Sequence, residues 1–177
     1  GLMIAALARG ARILNEPRYL QAAQRAMHFV RSKLRTSDGQ LKHSWRAEKT
    51  QDLAFLEDYA FTITALIELM QSDAQALWLE DAIALQQHLD TNYRDNERGG
   101  YFLTPSTHSA HIAREKPSYD GAIPCGNSFS IRNLLKLHAL TQRDSYLQTA
   151  DAALRAFAQE IRQGRMSYAS EALEQRL

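Results

Sequence analysis

Apolar positions along the chain recur at helical spacing in pairs of segments, and the same pair occurs three times. The first member of each pair, Leu2 to Leu14, Asp58 to Met70 and Ser128 to Leu140, is apolar around most of its circumference. The second is amphipathic and opens on an aromatic-Leu step followed by Ala: Tyr19-Leu20 with Ala23, Trp78-Leu79 with Ala82, Tyr146-Leu147 with Ala150. A helix apolar all round is buried, and one with a single apolar stripe lies outside it. Three helical hairpins with an inner and an outer row are therefore expected, with Met27, Phe29, Met70 and Phe157 in the core. Met166 to Leu177 reads as the start of a seventh helix.

The connections within a hairpin are tight: Asn15-Glu16-Pro17, Gln71 to Gln75, and Thr141 to Asp144. Those between hairpins, about Arg35 to Ala54 and Tyr93 to Gly126, exceed the length that compact domains tolerate without a function. Hairpins stacked side by side would place both long loops on one face, which is the functional candidate. Gly99-Gly100 followed by Tyr101-Phe102-Leu103 predicts a small β-hairpin there. The repeat spacings, 59 residues from Tyr19 to Trp78 and 68 from Trp78 to Tyr146, are longer than solenoid repeats of about 34 to 47. Periodicity alone leaves open superhelix and closed ring undecided, but the spacings favour a toroid. The expectation is an all-α fold, about half of an (α/α)6 toroid, in one partial domain over 1–177.

Composition narrows the function. Of 177 residues, 45% are hydrophobic and 23% charged, as in ordinary globular domains. The net charge of +1 is too weak a field for a nucleic-acid partner. The single cysteine, Cys125, excludes an internal disulfide and a Cys-x-x-Cys redox pair, and fits a reducing compartment or a chain that needs no staples; a cytoplasmic setting is expected. No apolar run approaches a membrane span. The first residues lack the basic region of a signal peptide and have no capping residue before Leu2, so a start within a longer protein is expected.

Two loop–helix junctions carry a family likeness. Ala54-Phe55-Leu56-Glu57-Asp58-Tyr59-Ala60-Phe61 and the segment from Arg114 to Ser128, with Tyr119-Asp120-Gly121 and Pro124-Cys125-Gly126-Asn127-Ser128, resemble the C-terminal part of the thioredoxin-domain-containing family related to spermatogenesis-associated protein 20. Ala54, Glu57 and Cys125 depart from its usual Gly, Asp and Ser. The resemblance implies an α/α toroid akin to N-acylglucosamine 2-epimerases and six-hairpin glycosidases, here without the thioredoxin-like domain.

Asp58, at the head of the second inner helix, is either a first-turn acid serving the helix or a carboxylate at the mouth of a toroid beside Tyr59. Asp120 gathers Arg114, Lys116, Tyr119, Asn127 and Ser128 within 15 residues. That grouping either suits an anionic or polyhydroxylated ligand or pins the loop through an Asn127 cap and an Arg114–Asp120 salt bridge. Asp58 and Asp120 would be the paired carboxylates of a glycosidase, and His43 the base of an epimerase. His108 and His111 match no zinc spacing with His43, so neither metal nor cofactor is expected. The functional expectation is a carbohydrate-directed domain. The rival is a non-catalytic scaffold or regulatory domain working with a thioredoxin-like partner domain. Half a ring would leave inner-helix faces uncovered, which predicts self-association.

Overall fold

The structure, a computed structural model, describes residues 1–46, 49–51, 53–107 and 114–174. It divides into two compact units, Gly1–Leu89 and Asp90–Leu177. The first holds α1 (Leu2–Leu14), α2 (Pro17–Lys33), the strands β1 (Ser44–Arg46) and β2 (Lys49–Gln51), α3 (Leu56–Asp73) and most of α4 (Ala76–Asn92). The second holds the last turn of α4 and then α5 (Gly126–Thr141), α6 (Asp144–Ala156), α7 (Ala158–Arg162) and α8 (Ser167–Glu174).

In the first unit α1 packs on both α2 and α3. Small residues let it come close: Ala5, Ala8 and Ala11 of α1 are all buried. As the all-round apolar pattern requires, α3 is enclosed, with Leu56, Ile63, Leu66, Ile67 and Leu69 at 1% exposure or less. Two polar bonds tie α1 to α3: Arg12 pairs with Glu68 at 3.2 Å, and the Ser72 hydroxyl donates to the Ala8 carbonyl at 2.9 Å. The outer helices are joined by Arg31 and Arg35 of α2 and its end, each 2.6 Å from the carboxylate of Asp81 on α4. In the second unit α5 packs on α6 and α8 around Ile131, Ala153, Phe157, Met166 and Ala169.

The three tight turns repeat in backbone as well as in sequence. Asn15, Ala74 and Gln142 each end an inner helix in the left-handed conformation, φ 51°, 57° and 58°. Their spacings are those of Tyr19, Trp78 and Tyr146. Asn takes this conformation readily, whereas Ala and Gln hold it at a cost.

Where the expected elements differ, the reason is visible. The strand pair lies in the first long connection, with Ser44 opposite Gln51 and Arg46 opposite Lys49. The Gly99–Gly100 turn closes a single antiparallel bridge between Arg94 and Tyr101. Phe29 is 43% exposed, on the outer face of α2, where its ring meets Trp45 of β1 edge-on at 5.5 Å. Met27 and Phe157 are core. The outer helix of the third hairpin breaks at Phe157, and the short α7 follows.

Candidate functional site

In the first unit the connection leaving α2 folds back on the head of α3. A tight turn closes through Thr36 N–H to the Gln40 carbonyl, and the Leu41 N–H donates to the phenol oxygen of Tyr59 at 3.0 Å. Tyr59 is buried, its ring stacked on His88 at 5.2 Å and 8°. With the loop anchored there, His43 reaches Asp58: Nδ1 lies 2.9 Å from Oδ2, and the imidazole stands edge-on to Phe55 at 5.1 Å. The same Asp58 oxygen accepts the Phe55 N–H at 2.8 Å, so the carboxylate also serves the helix start. The pair stays reachable, with side-chain exposures of 41% for His43 and 25% for Asp58. An Nδ1–H donated to the carboxylate would leave the imidazole lone pair on Nε2, the form a general base needs.

In the second unit the predicted residues are knitted into the long connection itself. Asp120 accepts from Cys125 N at 2.8 Å through Oδ1, and from Ser128 Oγ at 3.0 Å and Tyr168 N at 3.1 Å through Oδ2. One carboxylate thus serves the N-termini of α5 and α8 together, where helix dipoles favour an anion. Arg114 donates to the carbonyls of Thr104 and Asn92 and lies over the Phe102 ring at 4.1 Å. Burial draws its guanidinium below the ordinary value. Lys116 bonds Asp95 at 2.5 Å and the Gly99 carbonyl at 2.8 Å. Burial of Asp95 opposes its ionisation, but Lys116 and the Arg98 and Glu97 N–H groups outweigh it and hold the carboxyl below its usual range.

Asn127, fully buried, bonds Tyr101 N–H at 2.8 Å and the carbonyls of Tyr101 and Pro117 at 2.9 and 2.8 Å. It bolts the loop to α5 and leaves the cap to Cys125, whose Sγ accepts the Ser128 N–H at 3.4 Å. Burial pushes the Cys125 thiol up, away from nucleophile character. Tyr119 and Ile123 are large apolar side chains that this loop turns outward, at 67% and 68% exposure. His108 and His111 lie outside the described residues. Among the described residues no group of three or more His, Cys, Asp and Glu could hold a metal ion, and no helix is long and apolar enough to cross a membrane.

The fold built from these hairpins is that of the six-hairpin-glycosidase-like α/α toroids. A GH76 α-mannanase of Bacteroides thetaiotaomicron matches with a TM-score of 0.71 at 19% identity, over 87% of this chain and 41% of its own. A cellobiose 2-epimerase from Bacillus thermoamylovorans matches at 0.69 and 17%, over 86% and 41%, and a D-mannose isomerase at 0.69 and 18%, over 87% and 39%. The chain thus spans about two fifths of each of these structures. By sequence it resembles spermatogenesis-associated protein 20: the rat protein is 33% identical over 172 residues, 92% of this chain, and the human protein 38% identical over 109 residues. The chain spans about a fifth of the length of the curated relatives it matches, 22% for the rat protein. No protein-family model matches the sequence.

Proposed function

We propose that the chain is a carbohydrate-directed domain of the sugar epimerase, isomerase or glycosidase kind, taking a sugar or an anionic sugar derivative at the head of α3, beside the long connection that carries His43. The observation that carries this reading is the reachable His43–Asp58 pair at the head of an inner helix, on a fold shared with carbohydrate-active enzymes. His43 acts through Nε2 as the base that removes a proton beside the sugar carbonyl. Asp58 holds the imidazole and stabilises the imidazolium. Within the first unit Tyr59 holds the loop that carries His43; within the second, Asp120, Arg114, Lys116, Asn127 and Ser128 hold the second long connection, where the exposed ring of Tyr119 offers a face on which a sugar can stack. The setting is reducing and cytoplasmic, in keeping with the lone buried thiol, and a net charge of +1 offers nothing to a nucleic-acid backbone. Self-association runs through the outer side of α1, where Met3, Ile13 and Leu14 are 66% exposed or more.

One observation favours the rival reading of a scaffold working with a thioredoxin-like domain. Asp120 already accepts three hydrogen bonds from its own chain, which leaves it poorly placed as a second catalytic carboxylate.

The two readings separate in heavy water. Incubated with D-mannose or cellobiose, the protein is expected to introduce deuterium at C2, seen by NMR. His43→Ala should lose this by at least about a hundredfold while remaining folded. A folded protein that neither exchanges nor binds any sugar leaves only the scaffold.

A further inference from the structure

A cavity lies in the second unit, between the Arg94–Gly100 turn and the outer side of α6, with a volume of about 420 Å³. Its walls carry Arg94, Arg98 and Arg155, with Ser145, Gln148 and Thr149 along the helix. We infer that this cavity is a binding site for a small polyhydroxylated molecule bearing an oxyanion, a phosphate ester or a carboxylate. The inference does not rest on the His43–Asp58 reading.

The turn is built to hold its shape without a ligand. Asp95 Oδ1 accepts the N–H groups of Glu97 and Arg98, and Lys116 clamps both Asp95 Oδ2 and the Gly99 carbonyl. Gly99, at φ +78°, lets the turn lie directly on α6: a Cβ there would sit 2.5 Å from the Ala152 carbonyl oxygen. Arg94 spans the cavity, bonding Asn96 through Nε and reaching Thr149 Oγ1 with Nη1 at 3.4 Å.

Charge and donor chemistry then specify the guest. The backbone N–H groups of Glu97, Arg98 and Gly99 are used inside the turn, so binding falls to side chains. The carboxylate of Asp95 is matched by Lys116, which leaves three guanidiniums against Glu97. Among the described residues neither Arg98 nor Arg155 is engaged in an ion pair. Two arginines outside any ion pair on the walls of one cavity suit an oxyanion with several acceptors. The hydroxyls and amide of Ser145, Thr149 and Gln148 suit sugar hydroxyls, and the volume is that of a small-ligand site.

Titration calorimetry with D-glucose 6-phosphate and with D-glucuronate tests this, the tighter of the two identifying the oxyanion. At least one is expected to bind saturably in the millimolar range or better, and to weaken with added salt. The exposed pair Arg98→Gln and Arg155→Gln together should weaken it by at least about tenfold with unchanged circular dichroism, whereas Glu97→Gln should tighten it. No saturable binding of either probe, or binding that the double variant retains, overturns the inference. Activity toward neutral sugars plays no part in the readout, so its absence leaves this result untouched.

Discussion

At the scale of single residues, two titratable groups report on how each unit is held. Asp120 accepts three bonds at two helix starts, so Asp120→Ala is expected to cost about 3 kcal/mol in urea unfolding. Asp120→Asn should cost less, about 1–2 kcal/mol, because its Oδ1 can still cap while its amide meets the Tyr168 N–H. A substrate-binding Asp120 with no structural part would show neither loss. His88 is half-buried against Tyr59, and burial lowers its pKa from 6.5, with Asp38 pulling the other way. The unfolded chain therefore binds the proton more readily than the folded one. His88 detracts nothing above pH 6.5, and stability should fall as pH drops below that value until the folded pKa is passed. Unfolding midpoints measured from pH 7.5 to 5 should show this slope in the native chain and lose it in His88→Gln.

At the scale of elements, the repeated left-handed turn gives a direct test of how the hairpins are closed. Ala74 and Gln142 hold φ near +57° with a side chain present, so Ala74→Gly and Gln142→Gly are each expected to stabilise by about 0.5–1 kcal/mol. Asn15→Gly should be nearly neutral, and calorimetric melting of the three variants orders them. The inner and outer helices were legible from the sequence because amphipathic period is a local property: Leu2–Leu14 is the segment expected, and α3 and α5 differ from expectation by one to three residues at their ends. The bonds that fix the loops were not legible. Nothing local in Tyr119-Asp120-Gly121 announces a partner at Tyr168, 48 positions away, nor does Asn127 at a helix start announce Tyr101, 26 positions away. Phe29 departs from the core expectation for a related reason: it stands on the outer face of α2, 43% exposed, where Trp45 of the folded-back connection meets its ring edge-on. Of the candidate site, the His43–Asp58 pairing joins two residues singled out separately, and only the folded loop brings them to 2.9 Å.

At the scale of the whole molecule, the proposed self-association through the apolar outer side of α1 is tested by the solution state. Sedimentation at micromolar concentration is expected to show a species of twice the 20.1 kDa chain mass, returning to one chain in Met3→Glu with Leu14→Glu. A native chain that sediments as a monomer at every concentration would remove self-association from the proposal. The buried thiol described above has a practical consequence for following such changes. Cys125 is the only cysteine in the sequence and is 5% exposed beneath the clasp that Asp120 forms with α5. An alkylating reagent can reach its sulfur only when that clasp springs open, so the labelling rate, read by mass spectrometry, counts openings as they happen. The chain carries a stopwatch for its own breathing, already wound and needing no engineered probe.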